Sequence, residues 1–95
     1  MNENQIKIFN YNGNPITFQS GNGVMVNATQ MAKNFFGKSP KYWLRNQQTK
    51  EFLAELSEVR NLTSAELVKV TYGDNGGTWF HEDVALEFAR WLLNW

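Results

Sequence analysis

The chain has 95 residues, nine Lys and Arg against nine Asp and Glu side chains, and no cysteine, so its formal net charge at pH 7 is zero. A disulfide framework and a thiolate metal site are excluded, and no apolar run reaches the roughly 20 residues that a membrane-spanning helix needs. The length fits one small domain covering residues 1–95. No signal segment opens the chain, so we expect a cytoplasmic protein without a membrane contact.

The zero net charge hides two oppositely charged segments. Residues 4–50 carry six Lys and Arg side chains and no acidic one, whereas residues 51–95 carry eight acidic side chains and three basic ones. Because nucleic acids are bound first through cations that displace condensed counterions, a neutral domain with this polarity can present one binding face. The basic segment is where we expect a nucleic-acid contact.

The start of the chain predicts a β-hairpin followed by a third strand. Residues 6–8 and 16–18 alternate apolar and polar side chains on the two sides of the turn 11–14, whose Asn-Gly pair favours the positive φ angles of a tight hairpin. A second turn at 20–23 leads into the short apolar strand 24–26.

A first helix is predicted over residues 28–36, capped by Asn27 and ended by Gly37 in the left-handed conformation. Lys33 lies off its apolar stripe. That stripe has the spacing of one buried helix face: Ala28, Met31, Ala32, Phe35 and Phe36.

A second helix is predicted to begin at Pro40 after a tight turn, with Ser39 as its cap. A rotation of about 100° per residue places Trp43 and Leu44 on its buried face. The opposite, exposed face is formed by Lys41, Tyr42, Arg45 and Asn46.

If the second helix simply continued, the apolar residues after Thr49 would point away from the face of Trp43 and Leu44. We therefore expect a break near Thr49 and a third helix over about residues 50–60. Its outward face carries an acidic stripe of Glu51, Glu55 and Glu58, which would repel phosphate.

The rest of the chain predicts a second hairpin and a last helix. Residues 67–72 alternate as a strand, turn at 74–77 and return through 78–80. Glu82 and Asp83 favour a helix start through the helix dipole. The buried face of that helix is predicted to contain Val84, Ala85, Phe88, Ala89, Leu92 and Trp95. Its opposite side carries Leu86 and Leu93, and a helix that is apolar on both sides predicts that the chain is the N-terminal part of a longer protein.

Two helices joined by a tight turn and followed by a Gly-tipped hairpin are the parts of a winged-helix-like DNA-binding domain. Several short runs resemble the KilA-N domain: Val26-Asn27-Ala28-Thr29, Trp43-Leu44-Arg45, Gly76-Gly77-Thr78-Trp79 and Phe88-Ala89-Arg90-Trp91-Leu92. The resemblance covers nearly everything from Val24 onward. KilA-N domains are similar to fungal APSES DNA-binding domains and occur in phages and large DNA viruses. The resemblance implies DNA binding and an α+β fold. The order of the predicted elements adds a winged-helix-like arrangement with an N-terminal β-hairpin, a helix-turn-helix core, a Gly-tipped β-hairpin wing and a C-terminal helix.

The leading hypothesis is a sequence-specific or semi-specific module that binds double-stranded DNA, in an antirepressor-like regulatory protein of a phage or bacterium. The helix after Pro40 would enter a groove, with cations on phosphates and Arg, Asn or Gln side chains at base edges. Asp74, at the tip of the predicted wing, would oppose a phosphate contact there. The candidate DNA-binding residues are Lys33, Lys38, Ser39, Lys41, Tyr42, Arg45, Asn46, Gln48, Lys50, Lys69, Thr71, Asn75, Gly76 and Gly77.

Two other functions stay open. A protein-interaction module would capture another regulator through the acidic stripe and the exposed Leu86 and Leu93. An additional C-terminal domain of the same chain, or a second copy, would equally explain the two exposed leucines. Single-stranded nucleic acid or RNA would stack on aromatic side chains such as Tyr42. The oligomeric state is open as well.

No enzyme activity, cofactor or metal is expected. His81 is the sole histidine and has no His-Glu-x-x-His spacing around it, so it is predicted to be structural or a helix cap.

Overall fold

The computed structural model describes residues 5–21, 23–73 and 76–94 and has an α+β fold. Within these ranges five strands form one antiparallel sheet: β1 (Gln5–Tyr11), β2 (Asn14–Gly21), β3 (Gly23–Asn27), β4 (Val68–Thr71) and β5 (Gly77–His81). Five α-helices accompany it: α1 (Ala28–Met31), α2 (Pro40–Arg45), α3 (Gln47–Arg60), α4 (Ser64–Leu67) and α5 (Glu82–Leu93). A turn of 3-10 helix, Ala32–Asn34, continues α1.

The two predicted hairpins are not separate, because they join into a single sheet with the order β1-β2-β3-β5-β4. The junction is the antiparallel pairing of β3 with β5, in which Val26 lies opposite Phe80. Phe18 on β2 and Val68 on β4 extend this row on the flanking strands. Directly opposite residues point to the same face of a sheet, so these four apolar side chains form one layer of the core.

The predicted turns and caps are confirmed at several positions. Asn12 and Gly13 both have positive φ, as a two-residue hairpin turn requires. Gly37 has a φ of +80°, but it follows the extended Phe35 and so does not end the helix as predicted. The Asn27 side chain accepts a hydrogen bond from the Gln30 amide, and the Ser39 hydroxyl accepts one from the Tyr42 amide. Short polar side chains therefore start both helices as expected.

The first helix is shorter than predicted. After Met31 the chain tightens into the 3-10 turn, and Phe35 is already extended. Phe36 is fully exposed, so its predicted place in the buried stripe is wrong. The side chain of Asn34 donates to the Tyr11 carbonyl at 2.9 Å. This contact ties the end of the turn to the N-terminal hairpin, and the helix ends before Phe36 can reach the core.

The break between the second and third helices lies at Asn46, earlier than the predicted reset near Thr49. Asn46 has a ψ of 138°, and α3 begins at the next residue. The one-turn helix α4 was not predicted, although Thr63 and Glu66 form a capping box whose Thr-x-x-Glu spacing is readable in the sequence. Leu67 consequently belongs to this helix and not to the following strand.

The core lies between the sheet, α2 and α5, and it contains a cluster of three aromatic rings. Trp43, Phe80 and Phe88 have ring centroids 5.2 to 5.3 Å apart in tilted and edge-to-face arrangements. Such pairs are favourable beyond the area that they bury. Leu86 and Leu93, on the outer side of α5, are 66% and 50% exposed, as predicted.

Some predicted features cannot be placed. Trp95, Asp74 and Asn75 lie outside the described residues. No helix within the described ranges is long and apolar enough to cross a membrane.

Candidate nucleic-acid interface

The exposed face of α2 carries three of the predicted DNA-binding side chains. Lys41, Tyr42 and Arg45 are exposed, whereas Trp43 points into the core, so the predicted division of this helix into two faces is confirmed. The Arg45 guanidinium lies 5.7 Å from the centre of the Tyr42 ring, within the range of a cation–π contact. That contact holds the Arg45 guanidinium beside a planar ring at the protein surface. In the described part of the chain, neither Lys41 nor Arg45 has an acidic ion-pair partner.

Lys38, at the turn before α2, has a different environment. Its ammonium donates to the carbonyls of Trp91 at 2.9 Å, Leu92 at 3.3 Å and Asn94 at 2.8 Å. It also lies 4.9 Å from the centre of the Trp91 ring. The last carbonyls of a helix have no partners within the helix and carry partial negative charge. Lys38 therefore closes the end of α5, and its three donors are already engaged. Ser39 is likewise occupied as the cap of α2.

Asn46, Gln48 and Lys50 lie at the junction of α2 and α3, and all three are exposed. The side chain of Asn46 makes no capping hydrogen bond at the start of α3, and the first turn of α3 contains no acidic residue. A groove of about 630 Å³ separates this junction from α5, and Asn46 and Gln48 lie on one of its walls. Arg90 and Trp91 contribute to the other wall. Side-chain amides that can donate to and accept from base edges are thus beside the exposed face of α2.

The predicted wing is the hairpin of β4 and β5, and its polar groups are mostly paired within the hairpin. The Thr71 hydroxyl accepts from the Gly77 amide at 3.1 Å and donates to the Gly77 carbonyl at 3.2 Å. The Gly76 amide donates to the Gly73 carbonyl at 3.0 Å. The amides of the two candidate DNA-binding glycines, Gly76 and Gly77, are therefore already used inside the hairpin. Lys69 is exposed on β4, and Asn75 lies outside the described residues.

Gly76 and Gly77 also differ in how closely other atoms approach them. A Cβ at Gly76 would lie 2.7 Å from the Thr71 carbonyl oxygen, a distance that real side chains do not reach. A Cβ at Gly77 would lie 3.3 Å from the Thr29 hydroxyl, which is only a tight contact. Gly76 is consequently required by the shape of the turn whatever the hairpin binds.

Lys33 and Gly76, predicted separately, meet in a second cleft of about 290 Å³. Lys33 is on the 3-10 turn after α1, and Gly76 is just before β5. The other lining residues come from the first hairpin turn and from the start of α1: Asn14, Pro15, Asn27, Thr29 and Gln30. The Thr29 hydroxyl accepts a hydrogen bond from the Thr78 amide at 2.9 Å and so fixes α1 to β5.

Sequence reasoning missed Asn27 and Thr29 as parts of a cleft, and it interpreted Asn27 only as a helix cap. The signal available was the run Val26-Asn27-Ala28-Thr29, which resembles the KilA-N pattern.

The acidic residues and the histidine occupy the positions expected of them. Glu51, Glu55 and Glu58 are exposed along α3. His81 caps α5, because its Nδ1 accepts a hydrogen bond from the Asp83 amide at 3.1 Å. The carboxylate of Asp83 pairs with Arg60 at 3.0 Å, which links the end of α3 to the start of α5.

Comparison with known proteins agrees with the resemblance seen in the sequence. The KilA-N domain family model matches residues 9–94. A KilA-N domain-containing protein of Acanthamoeba polyphaga mimivirus is 31% identical over 70 residues, which is 70% of this chain and 18% of that protein. The match thus spans less than a fifth of the viral relative. No solved structure matches the chain. Because the family model covers nearly the whole chain, the protein belongs to the KilA-N family.

Proposed function

We propose that this domain binds double-stranded DNA through the exposed face of α2 and the first turn of α3. Lys41, Arg45 and Lys50 neutralise phosphates, while Asn46 and Gln48 sample base edges. The observation that carries the proposal is the α2 face, where cations have no acidic partner within the described residues and Tyr42 supports one of them. KilA-N family membership supports the same partner, because the family is generally DNA-binding.

In this proposal α1, the turn at Gly37 and α2 act as a helix-turn-helix unit, and the hairpin of β4 and β5 acts as the wing. The wing is a minor contributor, because the amides of Gly76 and Gly77 are already hydrogen-bonded. Lys69 is the cation that this hairpin offers within its described residues. The domain serves as the DNA-binding part of an antirepressor-like regulatory protein of a phage or bacterium and catalyses no reaction.

The number of phosphate contacts is measurable from the salt dependence of binding. Each neutralised phosphate contributes about −0.9 to the slope of log K against log salt. The three cations of α2 and α3 therefore account for a slope of about −2.7. Fluorescence anisotropy of a labelled duplex between 50 and 200 mM salt measures it. A flat response would refute DNA binding.

Base reading is tested separately by selecting bound fragments from random duplex DNA. A recovered consensus supports sequence-specific contacts from Asn46, Gln48 or Arg45, whereas an unbiased pool supports phosphate binding alone. Competition with a single strand of the same sequence distinguishes duplex binding from base stacking on Tyr42, because stacking favours the single strand.

A further inference from the structure

We propose that the cleft between the first hairpin turn, α1 and the start of β5 is a second binding site, which holds one phosphate group of the DNA backbone. Its volume of about 290 Å³ is at or below the lower end of ordinary ligand pockets, near 300 Å³, but it accommodates a single phosphate group. This inference rests on the proposed DNA-binding function and adds a contact outside α2 and α3.

The first argument is the buried amide of Asn27. Asn27 is only 7% exposed, and its side-chain oxygen is used by the Gln30 amide at 3.0 Å. No described residue accepts a hydrogen bond from its Nδ2 group. In the described part of the chain, every side-chain nitrogen or oxygen that solvent cannot reach has a hydrogen-bond partner, so this Nδ2 group is accessible to solvent. Because Asn27 lines the cleft, a ligand bound there can reach this donor. A bound anion would replace water with a charge-assisted hydrogen bond.

The second argument is the charge of the lining. Lys33 is exposed at the cleft and has no ion pair in the described ranges, in contrast to Lys38, whose ammonium is engaged by three carbonyls. The remaining described lining residues are neutral: Asn14, Pro15, Asn27, Thr29, Gln30 and Gly76. Asn27 and Gln30 have side-chain amide nitrogens with no acceptor in the described part of the chain. Together with one cation, and with no carboxylate among the described lining residues, these donors favour an anion over a cation or an apolar group.

The third argument is that the cleft is rigid. The Gln30 side chain accepts from the Thr17 amide at 2.7 Å, and the Thr29 hydroxyl accepts from the Thr78 amide at 2.9 Å. Asn14 is hydrogen-bonded to the side chain of Asn34. The first hairpin, α1 and β5 are thus held together around the cleft before any ligand arrives, which lowers the entropy cost of binding.

The test uses two variants of the cleft and two matched controls. Lys33→Gln removes the cation, and Lys7→Gln removes an exposed lysine of β1 that does not line the cleft. Asn27→Asp keeps an oxygen that caps α1 but replaces the Nδ2 donor with a negative oxygen. Asn61→Asp adds the same charge at the exposed end of α3, at a left-handed position that Asp tolerates. Thermal melting establishes that each variant is folded.

With the cleft included, we expect a wild-type salt slope of about −3.6, and about −2.7 for Lys33→Gln. At 0.1 M salt the loss of one phosphate contact corresponds to a roughly eightfold weaker affinity. Asn27→Asp should weaken binding at least as much, while Lys7→Gln and Asn61→Asp should change it less than twofold. If Asn27→Asp does not fold, Lys33→Gln against Lys7→Gln decides the question.

Two outcomes separate this inference from the proposed function. If the wild-type protein binds the duplex and Lys33→Gln has the same slope and affinity, the cleft inference is wrong and the α2 interface stands. If the wild-type protein does not bind the duplex, the proposed function fails.

The side-chain amide signals of Asn27 provide an independent readout by nuclear magnetic resonance. They should shift on addition of duplex, and not with inorganic phosphate at the same phosphate concentration. Saturation by inorganic phosphate alone would assign the cleft to a free anion and would overturn the assignment to the DNA backbone.

Discussion

The polar side chains at the ends of α5 and those on the exposed face of α2 are used in opposite ways. Along α5, the start is capped by His81, the end is closed by Lys38, and Asp83 is paired with Arg60. On α2, Lys41 and Arg45 have no acidic partner within the described residues. The comparison shows that hydrogen-bond partners, and not the density of charge in the sequence, distinguish a structural cation from one that is available to a ligand.

The largest effect should come from removing the two cations of α2. We expect the double variant Lys41→Gln/Arg45→Gln to bind a duplex roughly 60-fold more weakly at 0.1 M salt, with a salt slope less steep by about 1.8. Its thermal stability should be unchanged, because both side chains are exposed. Arg45→Lys is the informative companion, since it keeps the charge but loses the planar fork that reads guanine. Wild-type affinity in the double variant would refute the role of α2.

The next effect concerns Lys38 and should appear in stability. Lys38→Met keeps the aliphatic stem and removes the ammonium, so the last carbonyls of α5 lose their donor. We expect the free energy of unfolding to fall by about 1.5–3 kcal/mol, as for other hydrogen bonds that involve a charged group. Urea denaturation measures the change, and Lys41→Met should stay within about 0.5 kcal/mol of the wild type. If the salt slope of Lys38→Met became less steep by about 0.9 with no loss of stability, Lys38 would instead belong to the DNA-binding surface.

A smaller effect is expected at the start of α5. His81→Ala removes the Nδ1 acceptor for the Asp83 amide and should lower the free energy of unfolding by about 1 kcal/mol. His81→Asn supplies an oxygen acceptor in its place and should recover most of that loss. Equal stability of the two variants would show that the cap is not important. DNA affinity should be unchanged in both, because α5 is not part of the proposed α2 surface.

The smallest effect should come from the acidic stripe of α3. Glu55→Gln and Glu58→Gln remove negative charge from exposed side chains of α3 that lie about 10 and about 15 Å along the helix from Gln48. Surface charges separated by more than about 10 Å are largely screened at 0.1 M salt, so we expect duplex affinity to rise less than threefold. A much larger gain would mean that the stripe lies beside the bound DNA.

The local parts of this fold were predictable because their causes lie within a few residues. Asn12-Gly13 sets the first hairpin turn, and Ser39-Pro40 starts α2. The exposed face of α2 followed from the helical period, so this part of the candidate interface was predicted residue by residue. The helix α4 was equally readable from its capping box and was overlooked.

What the sequence could not show depends on segments that meet only in the folded chain. Val26 pairs with Phe80 far along the chain, and no local alternation indicates that choice of partner. In the sequence, Lys38 cannot be distinguished from the other cations of the basic segment, because its contact with the end of α5 forms only in the folded chain. The cleft is built from three separate segments, so Lys33 and Gly76 could be predicted singly but not as neighbours.

The position of β5 in the sheet has a consequence for how the chain is made on the ribosome. Strands β1 to β3 emerge early and can pair with one another. The edge of β3 stays unpaired until β5, which is synthesised only near the end of the domain, is available. An uncovered strand edge invites pairing with another nascent chain, and such distant pairing is slow to form. We therefore expect translation of this domain to pass through an aggregation-prone stage that ends when β5 enters between β3 and β4.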